Sequence, residues 1–132
     1  MRSVDTNVVL RLIVADDKAQ VREVQTLLQN EVLHVSLTVL IEVEWVLRSA
    51  YGWRRERTAE VLTVLTDLDG LDVEEAAMVR WAAGRLAEGA DFADMIHLVA
   101  ARHMSGFVTF DRSLARGAGE DAPLPVETLG VS

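Results

Sequence analysis

Short apolar runs alternating with longer amphipathic segments constrain the fold of this chain more than any other feature. Runs such as Leu71–Val73 and Phe107–Phe110 are short and mostly apolar, whereas the segments between runs place apolar residues three or four positions apart. Short apolar strands separated by helices are typical of a parallel sheet that is covered by helices on both faces. The pattern therefore predicts an α/β fold with three layers, in which a mainly parallel sheet of about four to five short strands is flanked by helices.

The expected elements follow from the same pattern together with capping residues and glycine stops. The predicted strands are Arg2–Val4, Leu33–Ser36, Leu71–Val73, Phe107–Phe110 and Val126–Leu129. The predicted helices run from Asp5 to Ile13, from Asp16 or Asp17 onward, from Ser36 or Thr38 to Tyr51, from Arg55 to Leu68, from Glu74 to Ala87, from Asp91 to His103, and for a short distance after Asp111.

Length and composition limit the class of protein. A chain of 132 residues, half of them apolar, is large enough for one hydrophobic core, so residues 1–132 are predicted to form a single domain. Cysteine is absent, which excludes disulfides and thiolate metal sites. The N-terminus does not read as a secretory signal, and no apolar stretch approaches the roughly 18 residues of a membrane span. We therefore expect a cytoplasmic protein without a membrane partner.

Four carboxylates occupy positions at which a catalytic or metal-binding site is expected. Asp5 and Asp111 each follow an apolar run, Asp94 lies in the opening turn of a predicted helix, and Glu42 lies within another helix. Ligands of open α/β sheets bind outside the carboxyl ends of the strands, so we expect these acids to gather there. Their mutual repulsion calls for a hard divalent cation, and oxygen ligands suit Mg²⁺ or Mn²⁺. The site is therefore predicted to be metal-dependent.

Helix capping offers a simpler explanation for several of these acids. Asp5 and Asp111 each precede a predicted helix and could serve only as N-caps. Asp91 and Asp94 form a D-x-x-D pair that resembles a capping box, and capping is the favoured explanation for Asp91. Asp94, at the third helical position, can still point beyond the helix end.

Helical periodicity does not distinguish Glu42 from Glu44. Both residues border an apolar stripe, on opposite sides and at similar angles. Ile41 and Trp45 lie across from this stripe, so the helix either contacts a second copy of the chain or packs Trp45 beneath a neighbouring helix of its own. The stripe comprises Val39, Val43, Val46, Leu47 and Ala50.

The net charge of −8 argues against broad affinity for nucleic acid. All basic residues except Lys18 are nevertheless arginine, whose planar guanidinium suits phosphate. These arginines are either solvated surface residues or the rim of a site for a polyanion. The second possibility makes Arg48, Arg112 and Arg116 candidate substrate-binding residues.

Four segments together resemble the acidic motifs of PIN-domain ribonucleases, and among these they are most similar to VapC-type toxins of bacterial toxin–antitoxin pairs. Any one motif is weak evidence, but all four occur in order and cover nearly the whole chain. The segments are Val4-Asp5-Thr6-Asn7-Val8, Leu40-Ile41-Glu42-Val43-Glu44-Trp45-Val46-Leu47, Ala90-Asp91-Phe92-Ala93-Asp94 and Val108-Thr109-Phe110-Asp111.

The resemblance implies a PIN-like nuclease domain that hydrolyses RNA phosphodiester bonds with Mg²⁺ or Mn²⁺. It assigns catalysis to Asp5, Glu42, Asp94 and Asp111, with Asp5 and Asp94 as metal ligands. It also implies a homodimer and a cognate antitoxin protein that inhibits the enzyme. Supporting positions are Thr6, Asn7, Asp91 and Thr109.

Three other functions remain open at this point. A housekeeping PIN nuclease of RNA processing would share the chemistry but would have no antitoxin. A non-catalytic module that binds protein or RNA would not need the four acids. A phosphatase of the haloacid-dehalogenase type also begins with an aspartate after its first strand, but it requires a second aspartate where this chain has Asn7.

Overall fold

The computed structural model describes residues 1–130, which form five strands and seven helices in nearly strict alternation. Positions 131 and 132 of the predicted domain lie outside the described residues. The strands are β1 (Arg2–Ser3), β2 (Leu33–Val35), β3 (Leu71–Val73), β4 (Phe107–Thr109) and β5 (Val126–Thr128). The helices are α1 (Thr6–Ile13), α2 (Lys18–Asn30), α3 (Leu37–Ser49), α4 (Arg55–Thr66), α5 (Ala76–Ala87), α6 (Phe92–Ala100) and α7 (Arg112–Ala118).

All strand pairs are parallel, which confirms the predicted α/β class. Strands β1, β2 and β3 form one sheet in that order, with Leu33 opposite both Arg2 and Leu71. Strands β4 and β5 form a separate pair in which Phe107 lies opposite Val126. The expectation of a single sheet was therefore wrong in this respect. Within residues 1–130, no strand of the first sheet pairs with a strand of the second.

Side-chain caps explain why most helices begin where they do. Asp5, Asp17, Ser36, Asp91 and Asp111 are the N-cap residues of α1, α2, α3, α6 and α7, and each accepts a hydrogen bond from a main-chain N–H in the first turn. The predicted starting points are thus confirmed to within one residue for these helices.

Four helices are shorter than predicted. Helix α3 ends at Ser49 rather than Tyr51, and α4 ends at Thr66 rather than Leu68. The other two, α5 and α6, are shorter for local reasons. Helix α5 begins at Ala76 rather than Glu74, because Glu75 adopts a left-handed conformation (φ 50°) and the Glu74 carboxylate instead accepts a hydrogen bond from Leu37 N. Helix α6 ends at Ala100 rather than His103, since the following turn tightens to i→i−3 hydrogen bonds such as Met104 N to Ala101 O.

The hydrophobic core lies between the helices and the strands, and α3 contributes much of it. Its buried face comprises Leu37, Leu40, Val43, Glu44 and Leu47. The predicted stripe was therefore rotated from the true one, since Ala50 is exposed and Val39 and Val46 are only half-buried. No helix within residues 1–130 has the length and apolar character needed to cross a membrane.

Candidate active site

Asp5 connects the end of β1 to the start of α1. Its Oδ1 accepts a hydrogen bond from Val8 N at 3.2 Å, so one carboxylate oxygen caps the helix. The N-cap explanation is confirmed, but it accounts for only one of the two oxygens. Asn7, the next predicted supporting residue, lines a small cleft together with Asp5 and Arg11.

Glu42 and Glu44 have different surroundings, although their positions in the helical pattern are equivalent. Glu42 is exposed, and its Oε2 accepts a hydrogen bond from the Thr6 hydroxyl at 2.8 Å. Glu44 is only 4% exposed and forms an ion pair with Arg48 on the next turn of α3. Glu42 is therefore the glutamate that lies beside the Asp5–Thr6 turn.

Asp94 is the acid most affected by its neighbours. Partial burial raises the pKa of its carboxyl, and the negative charges of Asp91 and Asp111 raise it further, against a smaller opposing effect of His97. Asp91 caps α6 by accepting a hydrogen bond from Asp94 N at 2.9 Å. The negative charges of Asp91 and Asp111 thus add to burial in destabilising the ionised Asp94 carboxylate.

Asp111 is held in place by the first turn of α7 and by Thr109. Its Oδ1 accepts hydrogen bonds from Ser113 N at 2.9 Å and from the Ser113 hydroxyl at 2.6 Å. These bonds lower the pKa of the Asp111 carboxyl, with a smaller contribution from Arg116. Thr109 supports the turn from the other side, because its hydroxyl oxygen accepts a hydrogen bond from Asp111 N. Ser113 had no sequence signal other than its position two residues after the aspartate.

The donor chemistry of this region fits a hard divalent cation. Asp5 and Asp111 each use Oδ1 in a helix cap, which leaves Oδ2 available, and Asp94 carries a carboxylate that nearby negative charge destabilises. A cation would relieve that repulsion, and carboxylate oxygens are the ligands that Mg²⁺ and Mn²⁺ prefer. Within residues 1–130, however, no three His, Cys, Asp or Glu side chains are oriented so that together they could hold a metal ion.

The candidate substrate-binding arginines differ in their environments. Arg48 forms an ion pair with the buried Glu44 and therefore has a structural partner. Binding of RNA by Arg48 remains a prediction. Arg112 and Arg116 lie on α7 directly after Asp111, and both are exposed.

A cleft of about 370 Å³ lies beside Asp91 and Asp94. Arg55, Arg85 and Arg116 line it. Neither Arg55 nor Arg85 was a candidate from the sequence, because the fold alone brings α4, α5 and α7 to one place.

Comparison with known proteins agrees with this geometry. A family model described as the PIN domain matches residues 3–120, which include all four predicted acids. No curated protein and no solved structure matches the chain. PIN domains are generally nucleases, and PIN nucleases act on RNA. On the strength of the family match over most of its length, the chain belongs to the PIN domain family.

Proposed function

We propose that this protein is an endoribonuclease that hydrolyses RNA phosphodiester bonds with Mg²⁺ or Mn²⁺. The observation that carries the proposal is the partly buried Asp94 carboxylate, whose pKa is raised by burial and by the charges of Asp91 and Asp111. A strained group of acids next to a cleft is a common property of functional sites. Membership of a family whose members are generally nucleases supports the same proposal.

Asp5 and Asp94 are proposed to hold the ion, with Glu42 and Asp111 completing the acidic set. When bound, the ion would supply a water of lowered pKa and would stabilise the charge that develops on the leaving oxygen. The chain itself orients the donors. Thr6 holds the Glu42 carboxylate by its hydroxyl, and Ser113 holds Asp111 ionised.

We further propose that the protein acts in the cytoplasm as the toxin of a toxin–antitoxin pair and forms a homodimer. The likeness of its four motifs to VapC-type toxins supports the toxin role. The exposure of Trp45, at 64%, supports a contact surface on α3. Ile41 supports it less, because it packs against the core of its own chain. A cognate antitoxin encoded by a small adjacent reading frame is the expected partner.

The catalytic proposal is tested with a fluorescently labelled single-stranded RNA. Cleavage is expected with added Mg²⁺ or Mn²⁺, and excess EDTA is expected to abolish it. Asp94→Asn is expected to be inactive at every metal concentration. Undiminished cleavage in EDTA would refute the metal-dependent mechanism. The toxin role is tested separately, since induced expression should arrest growth only when the four acids are intact and the neighbouring reading frame is absent.

A further inference from the structure

The arginines of this protein divide into two groups according to their partners. Six of the twelve form ion pairs with carboxylates within residues 1–130, namely Arg2, Arg11, Arg48, Arg54, Arg80 and Arg102. The other six form no such pair in that part of the chain, namely Arg22, Arg55, Arg57, Arg85, Arg112 and Arg116. Since the protein has 21 acidic residues, lack of available carboxylates does not explain this difference.

Three arginines of the second group line one cleft, although they come from three different helices. Arg55 begins α4, Arg85 lies near the end of α5 and Arg116 lies on α7. The cleft of about 370 Å³ that they share also includes Asp91 and Asp94. Three guanidinium groups that form no ion pair within residues 1–130 therefore lie directly beside the candidate metal-binding acids.

Two of these guanidinium groups are fixed in orientation by main-chain carbonyls. Arg55 Nη1 donates a hydrogen bond to Ala90 O at 2.8 Å, and Arg85 Nε donates one to Gly117 O at 2.6 Å. Each bond uses a single N–H of a group that has five, and both side chains are only half-buried. The remaining N–H groups are free to meet a ligand at little further cost in side-chain entropy.

Gly119 allows Arg85 to lie where it does. A Cβ at this position would be 3.3 Å from Cζ of Arg85, which is tighter than an ordinary contact, and Gly119 has a positive φ of 69°. The backbone after α7 is therefore close against the guanidinium plane. This contact leaves the cleft as the open side of Arg85.

The cleft thus has a cationic part and an anionic part in contact. A ligand that satisfies both must present an anion to the arginines and a second anionic group to a cation held by the acids. Successive phosphates of a nucleic acid strand meet this requirement, and guanidinium groups suit phosphate geometry. Glu88 also lines the cleft, and its charge favours a ligand that is bound at several points over a free small anion.

We propose that Arg55, Arg85 and Arg116 bind a phosphodiester of the RNA strand adjacent to the one that is cleaved. This inference rests on the proposed function for the identity of the strand, but it concerns binding and not cleavage. The contact positions the strand and carries no base specificity. It assigns a role to Arg55 and Arg85, which lie outside the four acidic motifs.

Binding is measured by fluorescence anisotropy with a single-stranded RNA in excess EDTA, which removes the divalent ion on which the proposed cleavage depends. We expect Arg55→Gln and Arg85→Gln each to raise Kd about tenfold, which is typical for the loss of one charge-assisted hydrogen bond. Each should also reduce the slope of log K against log salt concentration by about 0.7. Arg85→Lys should restore the salt slope but only part of the affinity.

Arg22→Gln provides the matched control, because Arg22 is exposed, forms no ion pair within the described residues and lies on α2. Its Kd should change less than twofold, and its salt slope should stay that of the wild type. Thermal melting shows whether each variant is folded, and Arg55→Lys replaces Arg55→Gln if the latter melts early. Equal losses of affinity in the control and in the cleft variants would overturn the proposal, as would wild-type affinity in both cleft variants.

Two further comparisons separate this inference from related ones. RNAs with and without a 5′-phosphate should depend equally on Arg55, whereas dependence confined to the phosphorylated RNA would overturn the assignment to an internal phosphodiester. Failure of the protein to cleave any RNA, combined with arginine-dependent binding, would refute the nuclease proposal and support the cleft. Cleavage with unchanged KM in both cleft variants would refute the role of the cleft and support the nuclease proposal.

Discussion

The Thr6 hydroxyl donates a hydrogen bond to Glu42 Oε2 at 2.8 Å, which joins the start of α1 to the middle of α3. This bond brings Glu42 next to the turn that contains Asp5. Glu44, two residues further along α3, is buried and forms an ion pair with Arg48 on the next turn of the helix. The two glutamates therefore have separable roles, one toward the site and one toward stability.

Replacing each glutamate by glutamine should show this separation. Glu42→Gln should abolish or strongly reduce RNA cleavage while the melting temperature stays near that of the wild type. Glu44→Gln should lower the free energy of unfolding by about 1–3 kcal/mol, because it weakens the bond to a partly buried arginine. Cleavage assays and thermal melts on both variants measure the two effects. An inactive Glu44→Gln variant of normal stability, together with an active Glu42→Gln variant, would reverse the assignment.

Asp94 should destabilise the metal-free protein at neutral pH. Its pKa is raised on folding above the usual aspartate value of 3.8, so the ionised carboxylate costs stability above the folded pKa. That cost disappears as the pH falls through the folded pKa toward 3.8. Asp94→Asn should therefore raise the metal-free melting temperature at pH 7, by an amount equivalent to about 1 kcal/mol or less given its exposure. The gain should shrink as the pH is lowered.

The same variant should respond less to metal. Mg²⁺ or Mn²⁺ at a hundredfold excess over Kd should stabilise the wild type by about 2.7 kcal/mol, since a ligand that binds only the native state shifts the folding equilibrium. Asp94→Asn should show a smaller increase. If the variant is less stable than the wild type and responds equally to metal, Asp94 stabilises only the first turn of α6 and does not bind the ion.

Ser113 should extend the acid stability of the protein through Asp111. Its hydrogen bonds lower the pKa of Asp111, so this carboxylate stays ionised to lower pH than usual, and the stability it contributes is lost only as the pH falls through that lowered value. Ser113→Ala removes the 2.6 Å bond from the hydroxyl. On acidification, the melting temperature of Ser113→Ala should then begin to fall at a higher pH than that of the wild type, as measured by thermal melts over a pH series.

Asp111→Asn is the reference for this measurement. Asparagine caps helices as well as aspartate does, so the melting temperature should change little while cleavage is lost at every pH. A melting temperature of Ser113→Ala that follows the same pH dependence as that of the wild type would show that the Ser113 hydroxyl does not hold Asp111 ionised.

Trp45 should determine whether the protein is a dimer. It is 64% exposed on α3, and burial of such a large aromatic side chain in an interface is favourable. Light scattering should give about twice the chain mass of 14.6 kDa for the wild type, and Trp45→Ser should give the monomer. Val64→Ser, at a comparably exposed apolar residue on α4, should leave the dimer intact. A monomeric wild-type protein would remove this prediction.

The sequence was sufficient to predict the order of the elements, because alternation, caps and glycine stops are local signals. Asp5, Asp91 and Asp111 were each predicted as possible caps, and each caps its helix. Periodicity failed for α3, where a mean angle per residue could not show that the buried face centres on Leu40, Val43 and Leu47. The outcome for Glu42 and Glu44 depended on that rotation.

Contacts between distant elements could not be predicted in the same way. The Thr6–Glu42 bond joins residues that are 36 positions apart in the sequence. The hydrogen bonds that orient Arg55 and Arg85 in the cleft span 35 and 32 positions. Their existence depends on how α1, α3, α4, α5 and α7 pack. Membership of the four acids in one metal site is still a prediction from their motifs.

The division of the strands into two sheets affects how the acids can move relative to one another. Asp5 follows a strand of the three-stranded sheet, and Asp111 follows a strand of the two-stranded one. Their separation is consequently set by the packing of α1 on α3, α3 on α6 and α6 on α7, and not by a main-chain ladder. We therefore expect the two halves of the site to be able to approach one another around an ion, since this movement would break no strand pairing. Core substitutions beneath α6, at Met95 for example, would then change ion affinity even where every acid is intact.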